Sequence, residues 1–165
     1  MASKLENRQH TVKKRAPRRT AEGEAFAKLA FAVLRLSGIL TAAGDALTKP
    51  LGQSSARWQV LAAAAQDVMS VAQIARVLGM SRQGVQRVAD LLVEDGLTEY
   101  LPNPQHKRAK LLRLLPQGEE TLAEIRVRQA AWVNWLGKQF RAEDLGAAED
   151  LLKRAAEALA EQELS

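Results

Sequence analysis

The chain has 165 residues, of which 47% are hydrophobic and only 4% aromatic, and its formal net charge is +5. This length suits one domain, or one small binding module with additional helices. The sequence contains no cysteine, which excludes disulfides, thiolate metal sites and a thiol-based redox sensor within it. Its richness in alanine and leucine favours a helical fold with little sheet.

The positive charge is concentrated in residues 1–20, where seven lysines and arginines stand against one carboxylate, Glu6. This segment is polar and has almost no apolar residues to bury, so we predict a disordered basic arm. Two interpretations of the arm stay open. It is a solvated leader, or it contacts DNA phosphates or the minor groove. The rest of the chain sums to a charge of −1, so bulk charge says little about the folded body.

Membrane insertion is not expected from the sequence. The first 20 residues contain no apolar stretch typical of a signal peptide. In the first helical segment the longest apolar run, residues 29–34, is bounded by Lys28 and Arg35. That run is far shorter than the ~20 apolar residues that span a bilayer. We therefore expect a soluble, cytoplasmic protein that does not contact a membrane.

Two helices are predicted before the central part of the chain. Apolar residues at three- and four-residue steps indicate a long helix over residues 22–47, which Pro50 terminates. Ser54 or Ser55 can cap the next helix. Trp58 lies in that helix, where an anchoring role in the core is the simpler interpretation.

The segment that follows has the order of a helix-turn-helix. Ser70 is placed to cap a short helix, and Gly79 supplies a turn. Ser81 then caps a longer helix, and Gly96 occupies the position of a left-handed C-cap. Apolar residues are predicted to face inward on both helices, namely Val71, Ile74, Ala75, Leu78, Val85, Val88, Ala89, Leu92 and Val93. This order predicts a helix laid in the major groove of DNA.

Polar side chains cluster at the start of the second helix. Arginine can pair with guanine and glutamine with adenine at their major-groove edges, and a helix N-terminus attracts phosphate. The residues of this helix predicted to contact DNA are Ser81, Arg82, Gln83, Gln86 and Arg87. A solvated face is the alternative for any one of them, whereas the cluster favours DNA contact. Gly84 either allows close backbone approach to DNA or is simply tolerated.

A basic hairpin is predicted next. Two short strands, over residues 97–101 and 109–115, flank a turn that contains Pro102 and Pro104. Lys107, Arg108 and Lys110 lie at or beside the tip, and Arg113 extends the basic strip. Because a basic loop can enter the minor groove, we add Lys107, Arg108 and Lys110 to the predicted DNA contacts.

Two helices are predicted after the hairpin. Pro116 occupies a favoured first helical position, and the helix is expected to continue to Phe140. A final helix is predicted over residues 142–164. The large aromatic residues of the helical segments form a candidate effector pocket, although such residues are more often core; they are Phe26, Trp58, Trp132 and Trp135.

Catalysis finds no support in the sequence. The two histidines, His10 and His106, lie in the arm and the hairpin, so no pair has the spacing of metal ligands. No nucleophile–base constellation is visible either. We predict that the protein is not an enzyme and has no cofactor or metal.

Taken together, these segments resemble the MarR family of bacterial winged-helix regulators over residues 22–159. The stretches that carry the resemblance are 58–61 (WQVL), 74–81 (IARVLGMS), 88–97 (VADLLVEDGL) and 103–110 (NPQHKRAK). The resemblance implies a homodimer whose first and last helices interlock, and whose two recognition helices read a pseudo-palindrome. It also implies a repressor released by a small phenolic or other lipophilic ligand, bound between the dimer helices and the winged domain.

The sequence departs from the family pattern in three places. His106 stands where the family commonly has an aspartate that orients the wing arginine, here Arg108. Leu115 and Pro116 replace the usual Leu-Thr before the long helix, which removes a hydroxyl cap. The basic arm before Glu22 is longer than is typical. The absence of cysteine excludes the branch of the family that senses oxidation through thiols.

The expected fold is mainly α: a winged helix-turn-helix with a small β-hairpin wing and a helical dimerisation region. After the arm (1–20), residues 21–165 form one MarR-like domain, with the winged module at about 52–115 and dimerisation helices at about 22–48 and 116–163. The expected function is a sequence-specific regulator of transcription that binds double-stranded DNA, as a dimeric repressor responsive to a small-molecule effector. The alternative is an architectural or protein-interaction module that binds DNA non-specifically through the arm.

Overall fold

The computed structural model describes residues 18–106 and 108–163. Most of the predicted basic arm and Lys107 of the predicted wing tip therefore lie outside the described residues. The chain divides into two compact units at residue 39. The first, described from Arg18 to Ile39, is the N-terminal part of one long helix; the second begins at Leu40 and contains every other element.

The described chain is built from α-helices and three short strands. Their bounds are α1 Ala21–Thr48, α2 Ser55–Gln66, β1 Met69–Ser70, α3 Val71–Leu78, α4 Arg82–Glu94, β2 Thr98–Leu101, β3 Leu111–Leu114, α5 Pro116–Gly137 and α6 Ala142–Glu163. A 3₁₀ helix, Lys49–Leu51, follows α1 directly. The predicted mainly helical, winged architecture is confirmed.

The strands form one antiparallel sheet in the order β1-β3-β2. β2 and β3 pair along their whole length as the predicted hairpin, each slightly shorter than expected. β1 was not predicted. It pairs with β3 through Met69 opposite Leu112 and Ser70 opposite Leu111. A strand of two residues is too short to show alternation in the sequence, and this one continues directly into α3.

The hydrophobic core of the second unit lies between α2, α3, α4 and the sheet. Leu61, Ile74, Leu92 and Leu112, one from each of these elements, are fully buried. The inward faces predicted for α3 and α4 are confirmed: Val71, Ile74, Ala75, Val85, Ala89 and Leu92 are buried, and Leu78, Val88 and Val93 pack against them partly buried. The core therefore holds α3 and α4 in place beside the wing.

Helix α5 starts in close contact with the end of the helix-turn-helix. Pro116 is its first residue, as predicted. The Leu115 N–H donates to the Leu97 carbonyl oxygen at 3.0 Å. A Cβ atom at Gly118 would lie 2.2 Å from that same oxygen, so only glycine fits there without displacing the backbone.

Helix α5 is shorter than predicted, and helix α6 is more exposed than its apolar residues suggest. α5 ends at Gly137, so the prediction that it continues to Phe140 is wrong; Phe140 lies in the turn before α6. None of residues 142–162 in α6 is buried. Its large apolar side chains are 41% to 52% exposed in the single chain, and they are Leu145, Leu151, Leu152 and Leu159.

The first helix is also exposed and strongly apolar. Residues Ala21–Leu51 are long and apolar enough to cross a membrane by length and composition, with a mean hydropathy of 1.6 and no burial in the window that gives this value. The apolar runs within it are short because charged residues and glycine, serine and threonine interrupt them. By itself this composition is weak support for a membrane span, and it suits equally a helix covered by another subunit.

Candidate nucleic-acid interface

At the ends of the two helices of the helix-turn-helix, neighbouring residues form hydrogen bonds with the free backbone groups of the first and last turns. The Ser70 hydroxyl accepts from Gln73 N at 3.4 Å, and the Gln73 side chain accepts from Ser70 N at 2.9 Å. This reciprocal pair is a capping box. At the other end, Gly79 adopts φ +62° and Met80 N donates to the Ala75 carbonyl at 2.9 Å. The turn before α4 is therefore set by its own sequence.

The start of α4 is closed by a serine cap that also explains Gly84. The Ser81 hydroxyl accepts from Gly84 N at 3.0 Å. A Cβ atom at position 84 would approach the Ser81 oxygen to 2.9 Å. Glycine therefore leaves room for the cap, which satisfies one of the unpaired N–H groups of the first turn.

The first turns of α4 present unpartnered polar side chains to solvent. Arg82, Gln83 and Arg87 are exposed, and within residues 18–106 and 108–163 no hydrogen bond or ion pair engages them. Asp90 and Glu94 follow on the same exposed face. Because the cations lie at the N-terminal end and the carboxylates further along, the N-terminal half of α4 is the part suited to approach a polyanion.

Gln86 belongs to a polar triangle that joins α4 to the wing. Its Nε2 lies 2.8 Å from Asp90 Oδ1 and 2.8 Å from the Tyr100 hydroxyl. The Tyr100 hydroxyl donates to Asp90 Oδ1 at 2.7 Å. Burial of the ring, followed by the hydrogen bond to Asp90, raises the pKa of Tyr100 well above its usual value. The hydroxyl therefore keeps its proton and remains a donor to Asp90.

A basic cleft of about 290 Å³ separates α4 from the wing. Arg82 lines it from α4, and Arg108 and Lys110 line it from the wing loop. The Lys110 ammonium lies 5.6 Å from the centre of the Tyr100 ring, within the range of a cation–π interaction. The two wing cations beside this cleft provide a suitable site for a phosphate of the DNA backbone.

The wing tip is shaped by short-range hydrogen bonds. Gln105 N donates to the Asn103 side chain at 2.9 Å, and Ala109 N donates to the His106 carbonyl at 2.9 Å. Arg108 is exposed, and no carboxylate in the described part of the chain pairs with it. This agrees with His106 occupying the position where an acidic partner was expected.

The predicted extension of the basic strip to Arg113 is not supported. Arg113 forms an ion pair with Glu99 on the neighbouring strand, and its Nε lies 2.9 Å from Glu99 Oε1. The charge of Arg113 is therefore balanced within the sheet. Among the residues that the structure describes, the wing cations left to face DNA are Arg108 and Lys110.

Comparison with known proteins shows to which family this architecture belongs. A sequence model described as MarR family matches residues 51–109. The chain is also 38% identical over 134 residues to Rv2011c of Mycobacterium tuberculosis, an alignment that covers 81% of this chain and 94% of that protein. The chain belongs to the MarR family. As a member it is a DNA-binding regulator of transcription and not an enzyme.

Solved structures share the fold of this MarR-family chain. Sco5413, a MarR family transcriptional regulator from Streptomyces coelicolor, superposes with a TM-score of 0.70 at 24% identity, covering 84% of this chain and 96% of that one. PcaV, a transcriptional regulator from the same organism solved with its natural ligand, gives 0.63 at 25% identity, covering 75% and 91%.

The C-terminal end of α4 is braced by α2. Arg57 forms an ion pair with Asp95, the residue that ends α4, and its Nε donates to Gln53 at 2.7 Å. The Arg57 side chain is 14% exposed. The ion pair fixes the far end of α4 against α2 and was not predictable from the sequence, because it joins residues 38 positions apart.

Of the predicted effector residues in the second unit, two line one groove and Trp58 lies apart from it. Trp132 and Trp135 line an open groove of about 690 Å³ between the C-terminal part of α1 and α5, and Arg128 lies at its edge. Trp58 does not line this groove; its ring lies beside Gly44 at the crossing of α1 and α2. Phe26 belongs to the first unit and is 46% exposed.

Proposed function

We propose that this MarR-family chain is a sequence-specific repressor that binds double-stranded DNA as a homodimer. The observation that carries the proposal is the capped N-terminus of α4, where Arg82, Gln83 and Arg87 are exposed and unpartnered among the described residues. Side chains of these types can read base edges once α4 lies in the major groove.

The proposed contacts divide into two classes. Arg82, Gln83, Gln86 and Arg87 would face base edges, whereas the Ser81 cap and the wing cations would bind phosphate. The wing cations are Lys107, Arg108 and Lys110, of which Lys107 is proposed from the sequence alone. Replacement of a base reader should alter specificity, and replacement of a phosphate contact should weaken binding to all sequences equally.

The homodimer is proposed from the exposed apolar helices. The leucines of α6 and the apolar side chains of α1 lie open in the single chain, on helices long enough to build an extensive interface. Exposed apolar surface of this extent commonly marks an interaction site. A second copy would cover it and present two α4 helices to two half-sites of one operator.

Effector control is proposed at the groove between α1 and α5. Two tryptophans offer apolar and aromatic surface, and Arg128 offers a cation for a carboxylate or phenolate. PcaV was solved with its natural ligand, and the tryptophan-lined groove of this chain suits a small lipophilic or phenolic effector. We further propose that the protein acts in the cytoplasm, where its DNA target is located.

Binding measurements on the full chain test the proposed function. We expect the protein to prefer a duplex from its own promoter region over a random duplex at ~150 mM salt, and to lower reporter expression from that promoter. Replacement of Arg82 and Arg87 by alanine should remove the preference. Equal affinity of the unmodified protein for both duplexes would exclude sequence-specific repression.

A second candidate function is non-specific binding through the arm. It is favoured by the charge distribution, since residues 1–20 are strongly basic and the remainder is near neutral. Deletion of residues 1–20 distinguishes the two candidates. If the deletion abolishes DNA binding while R82A/R87A does not affect it, the arm is the binding element and α4 is scaffold.

A further inference from the structure

In the polar triangle of Gln86, Asp90 and Tyr100, each hydrogen bond has a fixed donor and acceptor. This arrangement restricts which bases Gln86 can recognise. Asp90 is acceptor-only when ionised, and the Tyr100 hydroxyl has a single proton, which it donates to Asp90. The Tyr100 oxygen must therefore accept from Gln86, as must Asp90. Both partners require the amide nitrogen of Gln86, so the opposite amide orientation would leave two oxygens facing each other without a proton.

The orientation of this amide leaves its oxygen available. Within the described residues no hydrogen bond engages Gln86 Oε1, whereas Nε2 lies 2.8 Å from both Asp90 and Tyr100. Gln86 is itself exposed, and it lines both the outer face of α4 and the basic cleft beside the wing. It therefore stands at the boundary between the two surfaces proposed to meet DNA.

We infer that Asp90 and Tyr100 act as positioning residues for Gln86, and that together they make the protein select adenine or cytosine over guanine or thymine at one base of each half-site. This inference rests on the proposed sequence-specific binding. In the major groove, adenine and cytosine present an exocyclic amine, and guanine and thymine present a carbonyl. The fixed Gln86 oxygen accepts a hydrogen bond from the amine of adenine or cytosine and repels the carbonyl oxygen of guanine or thymine.

This specificity is broader than the usual contact of glutamine with adenine. That contact uses the amide oxygen and an N–H together, but the Gln86 nitrogen is already engaged by two acceptors. Adenine and cytosine thus both satisfy the inference, and guanine and thymine do not.

Selection from a pool of random duplexes tests the inference on the full chain. The unmodified protein should enrich adenine or cytosine at one position per half-site. Gln86→Ala should reduce that preference about three- to ten-fold, as loss of one hydrogen bond implies, and leave the other positions selected. Tyr100→Phe should reduce the preference at the same position, because the ring remains but the amide is no longer held.

Further variants separate positioning from a general loss of structure. Tyr100→Phe in the Gln86→Ala background should add no further loss, and Asp90→Ala should reproduce the loss without altering the Tyr100 ring. Glu99→Gln is the matched control, since it breaks an ion pair on the same strand without touching the triangle. Thermal unfolding of each variant confirms that it is folded.

Three results would overturn the inference, and they are distinguishable. Enrichment of guanine or thymine at the Gln86-dependent position contradicts the amide orientation. Unaltered selection by both Tyr100→Phe and Asp90→Ala, with loss in Gln86→Ala, shows that Gln86 needs no positioning. Failure of the unmodified protein to enrich any sequence defeats the proposed function itself, and the inference with it.

Discussion

Among the glycines of the described chain, Gly118 has the least space for a side chain. A Cβ atom there would lie 2.2 Å from the Leu97 carbonyl oxygen and 2.7 Å from a Leu114 methyl carbon. Neither α5 nor the end of the helix-turn-helix can move without disturbing the hydrogen bond between Leu115 N and Leu97 O. We expect Gly118→Ala to lower the free energy of unfolding by about 3 kcal/mol, at the upper end of overpacking effects.

Urea unfolding of Gly118→Ala, followed by circular dichroism, measures this effect. Gly137→Ala is the matched control, because Gly137 lies in the same helix and nothing surrounds its Cβ position within 4 Å. That control should be neutral or gain up to about 1 kcal/mol from helix propensity. Equal unfolding midpoints for the two variants would contradict the close packing of α5 against Leu97.

Thr98 and Thr48 provide a matched pair of buried hydroxyls. Both are essentially fully buried. Among the described residues Thr98 Oγ1 has no hydrogen-bond partner, whereas Thr48 Oγ1 donates to the Gly44 carbonyl at 2.8 Å. Valine has nearly the same shape. Thr98→Val should therefore raise the free energy of unfolding by up to about 1 kcal/mol, and Thr48→Val should lower it by about 1 kcal/mol. Thermal and urea unfolding of both variants measure whether the free energy of unfolding rises or falls. A loss of stability in Thr98→Val would contradict the expectation.

Single residues were predictable from the sequence only where their roles are local. Ser70, Ser81, Gly79 and Gly96 cap or terminate helices through neighbours within a few positions, so their types and spacing suffice. Gly118 gave no such signal, because the carbonyl that excludes a side chain there lies 21 residues earlier. The side chains around Gln86 were equally inaccessible, since Tyr100 reaches α4 only after the wing has folded back.

At the scale of the element, the N-terminus of α4 combines a structural and a proposed functional role. Ser81→Ala removes the cap and should lower the free energy of unfolding by about 1 kcal/mol. Ser81→Asp keeps a capping oxygen and should retain most of that stability. Its negative charge, however, faces the proposed phosphate contact. We expect DNA affinity to fall clearly in Ser81→Asp, at nearly unchanged stability.

Fluorescence anisotropy with a labelled duplex, together with urea unfolding, separates the two roles. Ser54→Asp is the matched control, because the Ser54 hydroxyl caps α2 in the same way but is not a predicted DNA contact. If Ser81→Asp bound DNA as tightly as the unmodified chain, the N-terminus of α4 would not approach the phosphate backbone.

The helices and strands differ in how well they can be predicted from the sequence. α3 and α4 follow from apolar periodicity with caps at both ends, and their predicted inward faces are the buried ones. β1 was not predicted because its two residues form a strand only by pairing with β3, and two residues are too few to show an alternation of apolar and polar side chains. The end of α5 was placed too late, since apolar and helix-forming residues continue across Gly137 into the turn.

At the scale of the whole molecule, the exposed apolar helices support the proposed homodimer. α6 buries none of residues 142–162 in the single chain, yet it repeats leucines along one side, as a helix does when it packs. Leu152 and Leu159 lie seven residues apart and therefore share a face. Glutamate at both positions should place two charges within the proposed interface and separate the subunits.

Sedimentation equilibrium measures that separation directly. We expect the unmodified chain to be a dimer and L152E/L159E to be a monomer with its winged module still folded, because neither side chain belongs to the core. Operator affinity should fall about 100-fold or more, since a monomer loses the second half-site. Val77→Glu is the control, as Val77 is 62% exposed on α3 and its replacement should leave the dimer intact. A dimeric double variant would show that the subunits associate through a surface other than this face of α6, and a monomeric unmodified chain would show that the exposed apolar helices serve a different partner.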